Sequence, residues 1–196
     1  MNKSQFLVWM HSNRVKHACV LGKLSGLEKQ FRLRKGVSLE RQFPSDVQFS
    51  LHPDFPNDLV LTDSLINSDM LIVASPRLQD YLRKNAFIDI EYLPVTIRDH
   101  KGKTMGSDYR IVHQVNHAEC LNREASDAEE SELDPSDVTD VARLVIYEER
   151  VPPEKMLFRI AEFPKVILVR RHLAEGLDTA GFTGFRWLEL SAYPEL

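Results

Sequence analysis

The sequence predicts an α+β fold: a mixed β-sheet with a central hairpin and two strand–helix–strand units, the helices packed on the sheet. Three observations predict it. Residues 89–115 hold two β-rich runs, 89–97 and 109–115, separated by a polar stretch that contains Gly102. Residues 71–97 pass from an apolar run through a capped helical stretch into the hairpin's first strand. Residues 166–190 follow the same order, although no convincing sequence repeat accompanies it.

A chain of 196 residues, 43% hydrophobic and 28% charged, suits one domain with a sizeable core, or one domain with a small appendage. No apolar run approaches the roughly 20 residues that span a bilayer. The run at residues 6–10 is shorter than a secretory h-region of about 7–15 residues, and no small-residue cleavage site follows it. The expectation is a cytoplasmic protein with no membrane partner. Two cysteines, Cys19 and Cys120, make no disulfide framework and are expected as free thiols.

The net charge of −4 is unevenly spread. Residues 1–41 are basic, with Lys3, Arg14, Lys16, Lys23, Lys29, Arg32, Arg34, Lys35 and Arg41 against Glu28 and Glu40. They show weak helical spacing through Leu24, Leu27 and Phe31, but Gly22, Gly26 and Gly36 count against a long helix. No interleaved aromatics and no nucleic-acid-binding signature accompany the bases, so no nucleic-acid partner is expected. Residues 6–10 can form a strand. Val47, Phe49 and Leu51 alternate as a short strand. A Pro- and Asp-rich loop at 52–58 follows, then Thr62 or Asp63, either of which can cap a turn of helix.

Residues 71–74 read as a buried strand. Ser75 is a good N-cap and Pro76 fits the first helical position. Leu78, Tyr81 and Leu82 share one helix face, and Asn85 suits a left-handed terminus. In the hairpin, Ile88, Ile90 and Tyr92 have one parity, while Leu93, Val95 and Ile97 have the other. A period-2 strand cannot bury both sets, so Pro94 marks a bulge or an edge. Residues 123–140 carry Glu124, Asp127, Glu129, Glu130, Glu132, Asp134, Asp137 and Asp140, and from 124 onward no Lys or Arg. They read as a long, partly mobile loop. Residues 144–147 read as a strand. The all-apolar run 166–169 reads as a strand buried on both sides. A helix over about 171–180 follows, with Gly181 at the left-handed cap and Phe182 packing back on Leu177. Residues 185–190 return as a strand, through a connection long enough for a parallel crossover.

Chemistry is harder to find. His113, His117 and Cys120 are metal-ligand types, but Cys120 falls on the opposite strand parity and no second pair follows at finger-like distance. Asp89 and Glu91 lie two apart on one strand, as paired carboxylates would; charges at an edge strand are the simpler account. There is no nucleophile elbow, no phosphate loop and no dinucleotide fingerprint. Phe182, Phe185 and Trp187 read as core.

Several motifs in order carry a resemblance. They are Phe43-Pro44-Ser45-Asp46-Val47, Glu91-Tyr92-Leu93-Pro94-Val95-Thr96-Ile97 with Asp99-His100-Lys101-Gly102, Tyr109-Arg110-Ile111-Val112-His113, Cys120-Leu121, Leu157-Phe158-Arg159, and Gly181-Phe182-Thr183-Gly184-Phe185-Arg186-Trp187. Together they resemble the bacterial immunity-protein family typified by a myxobacterial immunity protein, formerly a domain of unknown function. The resemblance spans residues 43–190. It makes 43–196 the immunity-protein-like α+β domain and 1–42 an N-terminal extension or part of the same domain. It implies a non-enzymatic cytoplasmic protein of a polymorphic toxin system that binds a cognate toxin, with no catalytic residues, no metal and no cofactor. The acidic stretch then becomes a candidate contact surface, through Glu129, Glu130, Glu132, Asp134 and Asp137, since acidic groups steer a basic partner. A small hydrolase using Asp89 and Glu91, and an adaptor with a non-toxin partner, are the alternatives.

Overall fold

A computed structural model describes residues 3–194. Its elements in chain order begin with strands β1 (Phe6–His11), β2 (Val20–Ser25), β3 (Gln48–Leu51), β4 (Ile66–Asn67) and β5 (Ile72–Ala74). Helix α1 (Pro76–Asn85) leads to β6 (Ile90–Pro94), β7 (Thr96–Arg98), β8 (Thr104–Gly106) and β9 (Arg110–Gln114). A short α2 (Arg123–Ser126) precedes β10 (Ala128–Glu130), β11 (Val138–Val141) and β12 (Leu157–Arg159). The chain closes with β13 (Ile167–Arg170), α3 (Arg171–Thr179) and β14 (Phe185–Glu189). The fold is mixed α/β and mostly strands.

The expected single mixed sheet is instead divided. Among the described residues there is a five-stranded sheet β4-β2-β3-β7-β8, a three-stranded sheet β5-β9-β6, a four-stranded sheet β12-β13-β1-β14 and the pair β10-β11. The division happens at the parity change in the hairpin. β6 pairs antiparallel with β9, and after Pro94 the strand leaves that sheet. β7 then pairs parallel with β3 and antiparallel with β8. Leu93, Val95 and Ile97 are buried throughout, whereas Ile90 and Tyr92 are half-buried on the other face. One polypeptide thus serves two sheets, and Pro94 stands where no ladder donor is needed.

Both strand–helix–strand units form, with an added strand in each. β5 and β6 flank β9, and both run antiparallel to it. β13 and β14 likewise flank β1, antiparallel to both. In each unit the helix therefore joins two strands of the same direction that are separated by a third. The alternation of side chains sorts the core accordingly. Phe6 and Val8 enter one cluster with Phe158 and Leu168, while Leu7 and Trp9 enter another with Ile167 and Val169. That second cluster also takes Ile72 and Val112, Leu78 and Leu82 of α1, and Leu173 and Leu177 of α3. The two units bury their helices in one shared core. Val73, Leu93 and Ile111 face the opposite way, into a third cluster with Leu21, Phe49 and Ile97.

Local chemistry explains the ends. Ser75 Oγ accepts from Leu78 N at the start of α1, with Pro76 in the first turn. Its end differs from expectation: Ala86 is the cap at φ −148°, and the left-handed residue is Asp89, at φ 58°. Helix α3 stops as its sequence suggests. Gly181 has φ 67°, and Phe182 N donates to Leu177 O at 3.3 Å, the long bond of a Schellman ending. Three other expectations fail. Thr62 and Asp63 cap no helix. Residues 20–25 are a strand, followed by a single 3-10 turn at Gln30–Arg34. Residues 144–147 form no strand, only the isolated Leu121–Ile146 bridge.

Asp63 has a different task. Its carboxylate accepts from Ser75 Oγ at 2.9 Å and from both the N–H and Oγ1 of Thr183 at 3.0 Å. Ser64 N in turn donates to Thr183 O at 3.0 Å. This clasp ties the start of β14 to the strand ahead of α1. Gly184 beside it sits at φ 93°, and a Cβ there would collide with the Ser64 carbonyl and with Thr62 Oγ1. Gly184→Ala should therefore cost about 3 kcal/mol or more, combining left-handed strain with a backbone clash. Gly181→Ala meets nothing within 4 Å, and should cost only about 1 kcal/mol. Urea unfolding of the two variants beside the parent measures the difference.

Candidate functional site

The acidic stretch is not a structureless loop. It is a hairpin, β10-β11, whose inner positions are apolar. Val138 and Val141 are buried in the core cluster that holds Phe158, and Ala128 packs against it. Val138 N also donates to Glu162 O at 2.8 Å. Arg123, one turn ahead in α2, braces the far end. Its Nη1 donates to Glu130 Oε1 at 3.1 Å and to Pro135 O at 2.8 Å, and its Nη2 donates to Ser136 O. At the tip, Asp134 Oδ1 accepts from Ser136 N at 3.0 Å and from Ser136 Oγ at 2.6 Å. Those bonds hold the Asp134 carboxyl below the usual carboxylate range.

The five acidic residues do not behave alike. Glu130 is paired with Arg123, and Asp137 is paired with Lys35 of the basic N-terminal segment, Nζ to Oδ2 at 3.0 Å. Glu129, Glu132 and Asp134 are exposed. Glu129 stands opposite Asp140 in the ladder, a like-charge cross-strand pair that works against the fold. Between Glu132 and Asp134 the tip carries Leu133, which is 98% exposed. Leu133 escaped the sequence reading; the signal was a lone large apolar residue inside an otherwise polar run. The arrangement is an apolar point on an acidic, braced support.

The other candidates are bound into the scaffold. Asp89 precedes β6 in the left-handed conformation, so it does not alternate with Glu91 as a strand neighbour would. Its Oδ2 accepts from Lys155 Nζ at 2.5 Å and its Oδ1 from Asn116 Nδ2 at 2.8 Å. Burial acts to raise its pKa, but those bonds outweigh it and hold the carboxyl low. Glu91 accepts from Leu39 N at 2.9 Å and from Ser38 Oγ. The two carboxylates thus fasten different segments and share no substrate position. His113 Nε2 donates to Val37 O at 2.9 Å, and His117 Nε2 to Gln114 O at 3.2 Å. Cys19 and Cys120 are free, buried thiols, and burial raises both, Cys19 to about 11 and Cys120 to about 12. No group of three potential metal ligands stands together among the described residues, and no helix there is long and apolar enough to cross a membrane.

A family model described as an immunity protein family, Imm11, matches residues 10–192. The chain belongs to that family. The Imm11 match begins within β1 and so takes in most of the basic N-terminal segment, further toward the N-terminus than the motifs alone suggest. A search of curated proteins finds no match. The motifs that carry the resemblance turn out to be joints of the scaffold. Thr183 and Gly184 form the clasp with Asp63 and Ser64. Arg159 is fully buried and donates to Gln114 Oε1, Pro164 O and Met70 O.

Burial, reinforced by that guanidinium, sets the acid response of two neighbouring histidines. His117 is lowered from 6.5 to about 4, first by burial and then by Arg159; His11 moves to about 4 for the same reasons. The folded rings stay neutral while unfolded rings take a proton. Their contribution is complete above pH 6.5 and is lost as pH falls toward 4. Urea midpoints should drop between neutral pH and about pH 5, and His117→Gln should show a smaller drop than the parent. An equal drop in the variant would remove His117 from the cause.

Proposed function

We propose that this Imm11 member is a non-enzymatic immunity protein, which acts in the cytoplasm by binding a cognate bacterial toxin through the β10-β11 hairpin. Family membership supports toxin neutralisation in general. The observation that carries the choice of surface is the hairpin tip, where fully exposed Leu133 lies between Glu132 and Asp134 with Glu129 behind them. Protein interfaces put apolar anchors at the centre and polar groups at the rim. A charged surface adds long-range steering of an oppositely charged partner.

The partner of this reading is a protein whose binding cleft is basic and has an apolar recess for one side chain. Glu129, Glu132 and Asp134 meet its cations. Glu130 and Asp137 hold the hairpin in place through Arg123 and Lys35, and they contribute charge at its sides. The Glu129–Asp140 repulsion is relieved when a cation arrives. No group of this chain changes covalently in the process.

Co-expression with the product of the adjacent reading frame should rescue growth from its toxicity, and the two proteins should co-purify. Reversing charge at the tip, Glu129→Lys with Glu132→Lys, should weaken the complex about tenfold or more and flatten its salt dependence. Leu133→Asp should weaken it by at least about tenfold, chiefly through faster dissociation. Leu133→Asp should keep the parent's urea midpoint and the double variant should match or slightly exceed it, because none of these side chains is buried and Glu129→Lys replaces repulsion from Asp140 with attraction. A toxin that kills equally well in the presence of the parent protein overturns the neutralising role. Unchanged affinity in the folded variants overturns the choice of surface alone.

A further inference from the structure

A cavity of about 320 Å³ opens where β1 meets the turn ahead of β5. Val8, Met10, Met70 and Val166 give it an apolar lining, and Arg34 and Lys165 give it charge. No Asp or Glu among the described residues lines it. This is unusual in a chain with 29 acidic and 25 basic residues. Lys35, next to Arg34, finds Asp137, and Arg171 finds Glu189. Arg34 and Lys165 form no ion pair among the described residues; Lys165 Nζ donates only to a carbonyl, that of Thr139, at 2.7 Å.

A third cation stands behind the wall. Arg159 donates to the carbonyls of Met70, which lines the cavity, and of Pro164, next to Lys165, and it pairs with no carboxylate among the described residues. Arg34 is near enough that, after burial, it is the next cause pushing Arg159 down to about 9. Among the described residues no carboxylate lines the cavity to offset these like charges. One further feature marks the same spot. Met70 is held at φ 53°, in the left-handed region that an unbranched non-glycine residue seldom adopts.

We propose that this cavity binds a small organic anion with an apolar body, of the aromatic or branched aliphatic carboxylate class. The carboxylate lies between Arg34 and Lys165, where a guanidinium and an ammonium both donate charge-assisted hydrogen bonds. The body fills the space against Val8, Met10 and Met70. Inorganic phosphate is the poorer fit, since it would leave the apolar lining unfilled. The volume falls in the lower part of the range of small-molecule sites, roughly 300–1,000 Å³. Because Lys165 also holds Thr139 of β11, a bound anion shares a residue with the acidic hairpin's support.

Titration of the full chain with benzoate, followed through the methionine methyl resonances, tests this. Benzoate should shift the Met10 and Met70 resonances saturably and leave those of Met105 and Met156 unmoved. Benzamide keeps the shape without the charge, and acetate keeps the charge without the body. Each should bind about tenfold more weakly, the equivalent of one charge-assisted hydrogen bond or one buried ring face. Arg34→Gln and Lys165→Gln should each weaken benzoate about fivefold to tenfold, and Lys165→Arg should restore it. Arg34 is half-buried and Lys165 exposed, so the variants should keep the parent's circular dichroism. Equal affinity for benzoate and benzamide overturns the proposal. So does unchanged benzoate affinity in the folded Lys165→Gln variant, or a saturable shift confined to residues outside the cavity.

Discussion

Arg159 is the constraint around which the rest is arranged. A guanidinium removed from water loses several kcal/mol of solvation, and it cannot escape by giving up its proton at physiological pH. Among the described residues it meets no carboxylate, and backbone carbonyls and one amide replace the water. Those acceptors come from three places: Gln114 on β9, Met70 ahead of β5, and Pro164 ahead of β13. The three-stranded and four-stranded sheets are therefore obliged to sit where all of them converge. The apolar cluster shared by α1 and α3 supplies attraction between the two units, but without direction. The guanidinium supplies direction, because its donors lie in a fixed plane.

The same division between attraction and direction recurs along the junction. Lys155 reaches from the connector ahead of β12 to Asp89 and to Asn116 O, at 2.5 and 2.6 Å. Thr183 and Asp63 exchange hydrogen bonds in both senses. Arg170 packs its guanidinium over the Phe6 ring at 4.7 Å and donates to Lys155 and Pro152 carbonyls. Charged side chains here act as struts inside the scaffold, which accounts for a family signature rich in polar residues and yet poor in chemistry. The binding role proposed for the hairpin would draw on this rigidity, because mobility at an interface has to be removed on binding.

What was legible in the sequence followed from local rules. Ser75-Pro76 announced α1, and Gly181-Phe182 announced the end of α3, because capping depends on neighbours only a few positions away. The parity change at Pro94 was visible, but the use made of it was not: whether a strand bulges or crosses to another sheet depends on β3, far off in sequence. The 20–25 strand was hidden because Gly22 and Lys23 break its alternation. Residues 123–140 were taken for a loop because their composition is polar. Only Val138, Val141 and the reach of Arg123 make a hairpin of them, and a guanidinium's partners cannot be foretold from spacing. The acidic residues of the candidate surface were legible as charge, while the pairing of Glu130 and Asp137 and the exposure of Leu133 were not.

The placement of β1 has a consequence for how the molecule comes into being. Phe6 pairs with Arg170, and His11 with Phe185, so the earliest strand lies between two of the last. During synthesis it must wait, apolar on both faces, until residues 167–189 have left the ribosome. A chain cut short before β14 cannot close the four-stranded sheet or complete the core shared by the helices. The partners of β1 arrive more than 150 residues after it, so its pairing is among the last steps of folding on the ribosome.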